Sequence, residues 1–255
     1  TPCWCYVTTV IDENPNTIKA IWGFNGTERP GAVFLAAAMS AYAQIGMPCF
    51  SIYGHDVKDA DDKTIPEDVE EKILRFARCA AAVGDIRNKS YVNIGAVAMG
   101  IAGSYCNEDF FRSYLGMHPE WVDMSEIIRR EKLGIYDKNE YEKALKWIKE
   151  NCKEGIDINP TDGMFYQRTV LSPEEKEENW QFIAKTTCII MDIMKGNPKL
   201  AEMGWIEESK GRNAILGGFQ GQRNWTDFMP NADFSEAILN TSFDWNGKRE
   251  PIPFA

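Results

Sequence analysis

Short apolar runs of strand length alternate, in the first half of this chain, with segments that have the length and pattern of helices. The strand-like runs cover residues 18–24, 48–53 and 90–97. Between them lie an alanine-rich, helix-like stretch at residues 32–45 and a second helical segment that opens with a capping box at residues 64–67. The periodicity of this second segment places a set of apolar residues on one face: Val69, Ile73, Phe76, Ala80 and Val83. Because this alternation is typical of β-α-β units, it predicts an α/β fold with parallel sheets.

Helix-start signals continue in the second half of the chain. Asp137 is placed to cap a helix, and Ser172 opens a capping box at the start of the longest predicted helix. The stretch 85–89 follows a complete strand-helix-strand-helix group, so we place a domain boundary there. The sequence therefore predicts two domains, at residues 1–86 and 87–255.

Charge and cysteine usage exclude several classes of partner. The net charge is −10 and the isoelectric point is about 4.9, which argues against a non-specific nucleic-acid binder and against an anionic membrane surface as partner. No apolar run approaches the roughly 20 residues that a membrane span needs. The seven cysteines are scattered and odd in number, which favours free thiols in a reducing cytoplasm.

The common catalytic and nucleotide-binding motifs are missing from the sequence, so the candidate chemistry rests on a few polar residues. The sequence contains neither of the two common glycine-rich phosphate loops, G-x-G-x-x-G after a strand and G-x-x-x-x-G-K-[ST]. The nucleophile-elbow motif G-x-S-x-G does not occur either. His55 follows a predicted strand, where ligands bind in open α/β sheets. It precedes several carboxylates and is therefore compatible with a metal site or with a solvated acidic loop; the carboxylates are Asp56, Asp59, Asp61 and Asp62. His118 is predicted to lie in a turn.

Two further segments have compositions that suit a ligand site. Residues 99–104 (MGIAGS) are small and fall where a strand should end, which allows a close approach of the main chain or a tight turn. Residues 217–231 (GGFQGQRNWTDFMPN) combine amides, a guanidinium and aromatic rings, which is the mix that a sugar site needs and that a long structured loop also has. Near the end, Asn246-Gly247 predicts a hairpin turn followed by a strand.

Long gap-free motifs along nearly the whole chain resemble the L-fucose isomerase family. They include TPCWCY, AIWGFNGTERPGAVFLAAA, FSIYGHDVKDADD, AMGIAGS, GFQGQRNWTD and EAILNTSFDWNGKREP. The resemblance implies an aldose–ketose isomerase that interconverts L-fucose and L-fuculose, and also D-arabinose and D-ribulose, through an ene-diol. It further implies Mn²⁺ as cofactor, a hexamer, and two Rossmann-like parallel-sheet α/β domains, of which the first is expected to be incomplete here.

The resemblance assigns wall residues of the site to this chain, but no catalytic residue and no metal ligand. Trp4 matches a tryptophan that reaches into the neighbouring subunit's pocket, while Met99 and Gln220 match residues that line the sugar pocket, with Gln222 as the alternative to Gln220. His55 and Asp56 match a family-typical segment without a known role. The family's metal ligands are a Glu, an Asp and a His, and the first is expected shortly beyond Ala255.

Two expectations follow for this chain taken alone. It is expected to be inactive and, without the opening strands of its first domain, to fold poorly with an exposed sheet edge. Two other functions stay open: a non-catalytic sugar-binding or assembly module of the same α/β fold, and an enzyme that uses its own metal at His55.

Overall fold

The computed structural model describes residue 14 and residues 16–28, 31–59, 61–96, 107–155, 171–221 and 229–254. The chain divides into two compact units, Thr1–Asp85 and Ile86–Ala255. Each unit contains parallel strands and helices, so the predicted α/β class is confirmed. Among the described residues, no helix is both long enough and apolar enough to cross a membrane.

The described residues of the first unit form two short parallel strands and two helices in alternation. Strand β1 (Ala20–Trp22) is followed by helix α1 (Gly31–Gln44), strand β2 (Phe50–Ile52) and helix α2 (Glu67–Ile86), whose last residue lies beyond the unit boundary. Strands β1 and β2 pair in parallel, with Ala20 opposite Phe50. Both strands are shorter than the apolar runs that predicted them.

The two helices of this unit bury few residues. Helix α1 carries no charged residue and buries only Leu35, Ala38 and Tyr42. The apolar face predicted on α2 is only partly covered by the described residues: Val69 is fully buried, Ile73, Phe76 and Ala80 are half-buried, and Val83 is 38% exposed. A helix of 20 residues is roughly 30 Å long, whereas strands of three residues cover about 10 Å, so this sheet can bury only part of it.

The second unit is built around a parallel sheet with the strand order β4-β3-β5. The central strand β3 (Ser90–Ile94) pairs with β4 (His118–Val122) on one side and with β5 (Ala214–Phe219) on the other. On the side of β5 that faces away from β3, Gly217 forms a further parallel bridge with Phe254. The N–H of Gly217 donates to the carbonyl of Pro253 at 3.1 Å. The predicted strand after the hairpin is therefore a short extended segment beside β5.

In the described part of this unit, seven helical segments connect or cover the strands. They are α3 (Glu108–Phe110), a one-turn π-helix (Phe111–Leu115), α4 (Met124–Leu133), α5 (Lys138–Asn151), α6 (Pro173–Lys195), α7 (Pro198–Glu202) and α8 (Asp233–Leu239). The caps predicted at Asp137 and Ser172 are confirmed: the side chain of Asp137 accepts a hydrogen bond from the N–H of Asn139, and Ser172 forms a capping box with Glu175.

The core of this unit lies between one face of the sheet and helix α6. Val92 and Ile94 of β3 pack there in one cluster with Ile189, Ile190 and Met194 of α6. The second half of α6 is buried on nearly all sides, which is typical of a helix in the centre of a domain.

Three details differ from the sequence-based predictions. His118 does not lie in a turn but begins β4, where its side chain is exposed. The hairpin joins β6 (Phe243–Asp244) to β7 (Gly247–Lys248), so its two turn residues are 245 and 246, one position earlier than predicted. Strand β5 was not predicted at all, because its Gly217-Gly218 pair reads as a loop.

Candidate functional site

The carboxyl ends of β3, β4 and β5 meet at one edge of the sheet in the second unit. In open α/β sheets, ligands bind at this edge. The residues that leave the strands here are Gly95 after β3, Asp123 after β4 and Gln220 after β5. This edge is therefore the candidate binding site of the second unit.

Gly95 and Gln220 hold the main chain together at this edge. The N–H of Gly95 donates to the carbonyl of Val122 at 2.9 Å, and the N–H of Gln220 donates to the carbonyl of Ile94 at 2.7 Å. Gly95 has a φ of +111°, and a Cβ added there would lie 2.0 Å from the carbonyl oxygen of Gln220. Only glycine fits this position without a shift of the main chain.

Asp123 serves as a helix cap. Its carboxylate accepts a hydrogen bond of 2.7 Å from the N–H of Ser125, at the start of α4. Hydrogen bonds from the Ser125 hydroxyl and N–H lower the pKa of Asp123 below its ordinary value. A carboxylate with a lowered pKa, whose oxygen already accepts a hydrogen bond at a helix N-terminus, is poorly suited to act as a general base at neutral pH.

Of the four predicted wall residues, one lies within the described part of the chain. Gln220 directly follows β5 and is half-buried. Trp4, Met99 and Gln222 lie outside the described residues.

Asn93 is a polar residue of this region that the sequence analysis missed. It lies in β3 opposite Trp121 of β4 and Gly218 of β5. Its side chain is fully buried, yet neither Oδ1 nor Nδ2 has a hydrogen-bond partner in the described part of the structure. The available signal was one amide between the apolar residues Val92 and Ile94 of the strand sequence SYVNI.

The corresponding edge of the first unit carries His55 and Asp56 after β2, and the nearby carboxylate of Asp68 is engaged locally. The N–H of His55 donates to Asp68 at 3.0 Å, and Asp68 also pairs with Lys72 at 3.1 Å. The hydrogen bond from Lys72 is the main cause that lowers the pKa of Asp68.

The described residues contain no group of three or more His, Cys, Asp or Glu side chains that could hold a metal ion. In the acidic loop, Asp62 is bound by Lys58 at 2.8 Å and by the hydroxyl of Thr64. The alternative of a metal site at His55 therefore has no support in this part of the chain.

A cavity of about 510 Å³ flanks the edge strand β4. Its buried cation, Arg130, pairs with Glu126 at 2.8 Å, and Arg129 bridges Glu126 and Glu208. These two arginines and two glutamates are therefore already paired with one another.

Comparison with known proteins gives matches over the whole chain. Residues 1–88 match the family model of the L-fucose isomerase first N-terminal domain, and residues 89–255 match that of the second N-terminal domain. The chain is 62% identical to L-fucose isomerase of Clostridium perfringens over 257 aligned residues, 59% to that of Vibrio vulnificus and 56% to that of Streptococcus pneumoniae. Each match covers 100% of this chain but only 42–43% of the relative's length.

Proposed function

The chain belongs to the L-fucose isomerase family, and we propose that it forms a sugar-binding wall of an aldose–ketose isomerase. The proposed reaction interconverts L-fucose and L-fuculose, and also D-arabinose and D-ribulose. The observation that carries this proposal is the position of Gln220, next to Gly95 at the carboxyl edge of a parallel sheet. Sheets of this kind bind their ligands at this edge.

The proposed sugar contacts follow from the chemistry of the residues. The amide of Gln220 has two donors and an acceptor, which suit the hydroxyl groups of a sugar. Gly95 has no side chain, so a ligand could approach its main chain closely. Trp4 as a stacking residue, and Met99 and Gln222 as further wall residues, stay part of the proposal. We also propose that the two domains divide after residue 86.

Mn²⁺ belongs to the proposal as the cofactor that the family resemblance implies. The described residues do not fit a metal site, since no three potential ligands cluster among them. We therefore assign no metal ligand and no proton-transfer step to this part of the chain. In consequence, we propose that the chain by itself binds sugar but does not isomerise it.

Association with further copies, up to a hexamer, is proposed for the complete protein. Helix α1 supports this proposal: it is 14 residues long without a charge, and its Val33 is 64% exposed. Charge-free helix surfaces are typical of interfaces rather than of solvated faces. A cytoplasmic location is proposed as well, and it is supported by four described cysteines that form no disulfide, Cys49, Cys79, Cys152 and Cys188.

The proposed function can be tested by sugar binding to the purified chain. L-fucose at about ten times its dissociation constant should stabilise the chain by ~1.4 kcal/mol and so raise its melting temperature. In Gln220→Leu, about ten times more L-fucose should be needed for the same rise in melting temperature. Gln44→Leu, at the exposed end of α1, should respond to L-fucose like the wild type. An absent effect of L-fucose on the wild-type chain would refute the proposal.

Two additional assays separate an isomerase site from a simple binding module. An isomerase must hold both aldose and ketose in one site, so L-fuculose should compete with L-fucose for the chain. Incubation with L-fucose and Mn²⁺ should form no ketose above a blank without protein. Ketose formation would show that the proposed inactivity of the chain is wrong, and binding of L-fucose without competition by L-fuculose would favour the binding module.

A further inference from the structure

We propose that Asn93 is a sugar-binding residue at the carboxyl edge of the second unit and that it recognises a pair of neighbouring hydroxyl groups. The proposal rests on the proposed function and adds a specificity-determining residue to it. The starting observation is that Asn93 is 0% exposed while both polar atoms of its amide lack a hydrogen-bond partner in the described part of the chain.

Such an amide is costly for the fold. A buried polar group without a hydrogen bond destabilises a protein by ~1–3 kcal/mol, and native structures contain few of them. The neighbours of Asn93 within β3, Val92 and Ile94, are apolar and belong to the core. An apolar side chain at residue 93 would suit the same strand, so stability does not explain the amide. Exceptions of this kind are expected at functional sites.

The pairing of the strands places Asn93 next to the proposed sugar site. Side chains alternate between the two faces of a strand, so Asn93 lies on the face opposite to Val92 and Ile94. On that face, Asn93 is flanked by Trp121 and by Gly218. Gly218 has no side chain, so no side chain of β5 stands beside the amide. Two positions beyond Gly218, on the same face, comes Gln220.

The chemistry of these groups defines the class of ligand. The amide of Asn93 is uncharged and has unused both an acceptor, Oδ1, and a donor, Nδ2. A single hydroxyl can donate and accept, and two hydroxyls on adjacent carbons can engage both amide atoms at once. With the aromatic ring of Trp121 on one side and the amide of Gln220 further along, the arrangement suits a vicinal diol of a sugar. It offers no charge for an anion or a cation.

The test compares L-fucose binding to the wild-type chain, Asn93→Leu and Asn93→Thr. Asn93→Leu removes the unpaired amide, so its melting temperature in the absence of sugar should equal or exceed that of the wild type. Its dissociation constant for L-fucose should rise about tenfold, because hydrogen bonds to the sugar are lost. Asn93→Thr replaces the amide by a single hydroxyl, which can still donate and accept, and should bind L-fucose with intermediate affinity. Asn151→Leu, on the exposed end of α5, is the control and should bind like the wild type.

The possible outcomes distinguish this inference from the proposed function. Equal L-fucose affinity in the wild type and both Asn93 variants would overturn the inference and leave the proposed function standing. A lower melting temperature in both variants together with unchanged affinity would also overturn it, and would indicate that the amide supports the fold, for example through a buried water. If the wild-type chain does not bind L-fucose, the proposed function fails and the inference fails with it.

Discussion

Replacement of Asp192 by Asn should stabilise the second unit at pH 8 and do so less at pH 5. Asp192 lies in α6, is only 8% exposed, and accepts a hydrogen bond of 2.9 Å from Asn197 at Oδ1. Its Oδ2 has no hydrogen-bond partner among the described residues. Burial raises the pKa of this carboxyl from 3.8 to about 6, against the hydrogen bond from Asn197 and the charge of Arg130, which lower it; the nearby charges of Asp137 and Glu140 raise it further.

The sign and size of the effect follow from the two pKa values. The folded chain holds the proton more tightly than the unfolded chain, so the group stabilises the fold fully below pH 3.8, and that stability is lost as the pH rises through about 6. The whole difference corresponds to ~3 kcal/mol at roughly 1.4 kcal/mol per pH unit. Between pH 5 and pH 8 the wild type should lose ~1.4 kcal/mol of unfolding free energy through this group. Asp192→Asn has no such group to titrate.

Urea unfolding at both pH values measures this difference. Tryptophan fluorescence is a suitable signal, because most described tryptophans belong to the second unit: Trp121, Trp147, Trp180, Trp205 and Trp245. The gain in unfolding free energy of Asp192→Asn over the wild type should be ~1.4 kcal/mol larger at pH 8 than at pH 5. Asp85→Asn removes an exposed carboxylate from the last turn of α2 and should show no such dependence. An equal gain at both pH values would refute the argument that Asp192 is buried at the expense of its charge.

Two further predictions concern glycines in tight contacts. Gly95→Ala should lower the unfolding free energy by more than ~2 kcal/mol, since the added Cβ meets a main-chain oxygen at 2.0 Å in a left-handed conformation. Gly134 has a φ of +69° but open space around it, so Gly134→Ala should lower the unfolding free energy by only ~1 kcal/mol. If a thermal melt showed equal destabilisation by Gly95→Ala and Gly134→Ala, the close contact at Gly95 would be contradicted. Gly217→Ala should also destabilise, because its Cβ would lie 2.7 Å from the ring of Phe254. The unfolding free energy lost in the double variant with Phe254→Ala should be ~1 kcal/mol smaller than the sum of the losses in the two single variants. If denaturant unfolding gave fully additive losses, residues 217 and 254 would not be in contact.

The features that could be predicted from the sequence depend on neighbours along the chain. Asp137 and Ser172 cap their helices as expected, because the N–H groups that they bind lie within three residues. Gly46 ends the first helical region with a positive φ of 69° for the same local reason. Alternation of strands and helices was visible for the same reason, and it was sufficient to predict the α/β class.

The candidate site was predictable only in part. Gln220 was found through a composition that suits sugars and through the family resemblance, yet its place beside Gly95 required the structure. Asn93 escaped notice because its sequence neighbourhood says nothing about whether its amide finds a partner. The apolar face of α2 was predictable, but its partial burial was not, because the periodicity of a helix shows which residues share a face and not how much of that face the sheet covers.

The sequence by itself determined the class of fold, the helix starts and the membership in a family, since these depend on residues close together in the chain or on the identity of long motifs. Only the tertiary structure showed that Ala214–Phe219 is a strand, because its glycines are held extended by β3 on one side and by Phe254 on the other. It also decided which polar groups are buried without partners. Both depend on contacts between segments that are distant in the chain, such as β3 and β5, which lie more than a hundred residues apart, and no local pattern records such contacts.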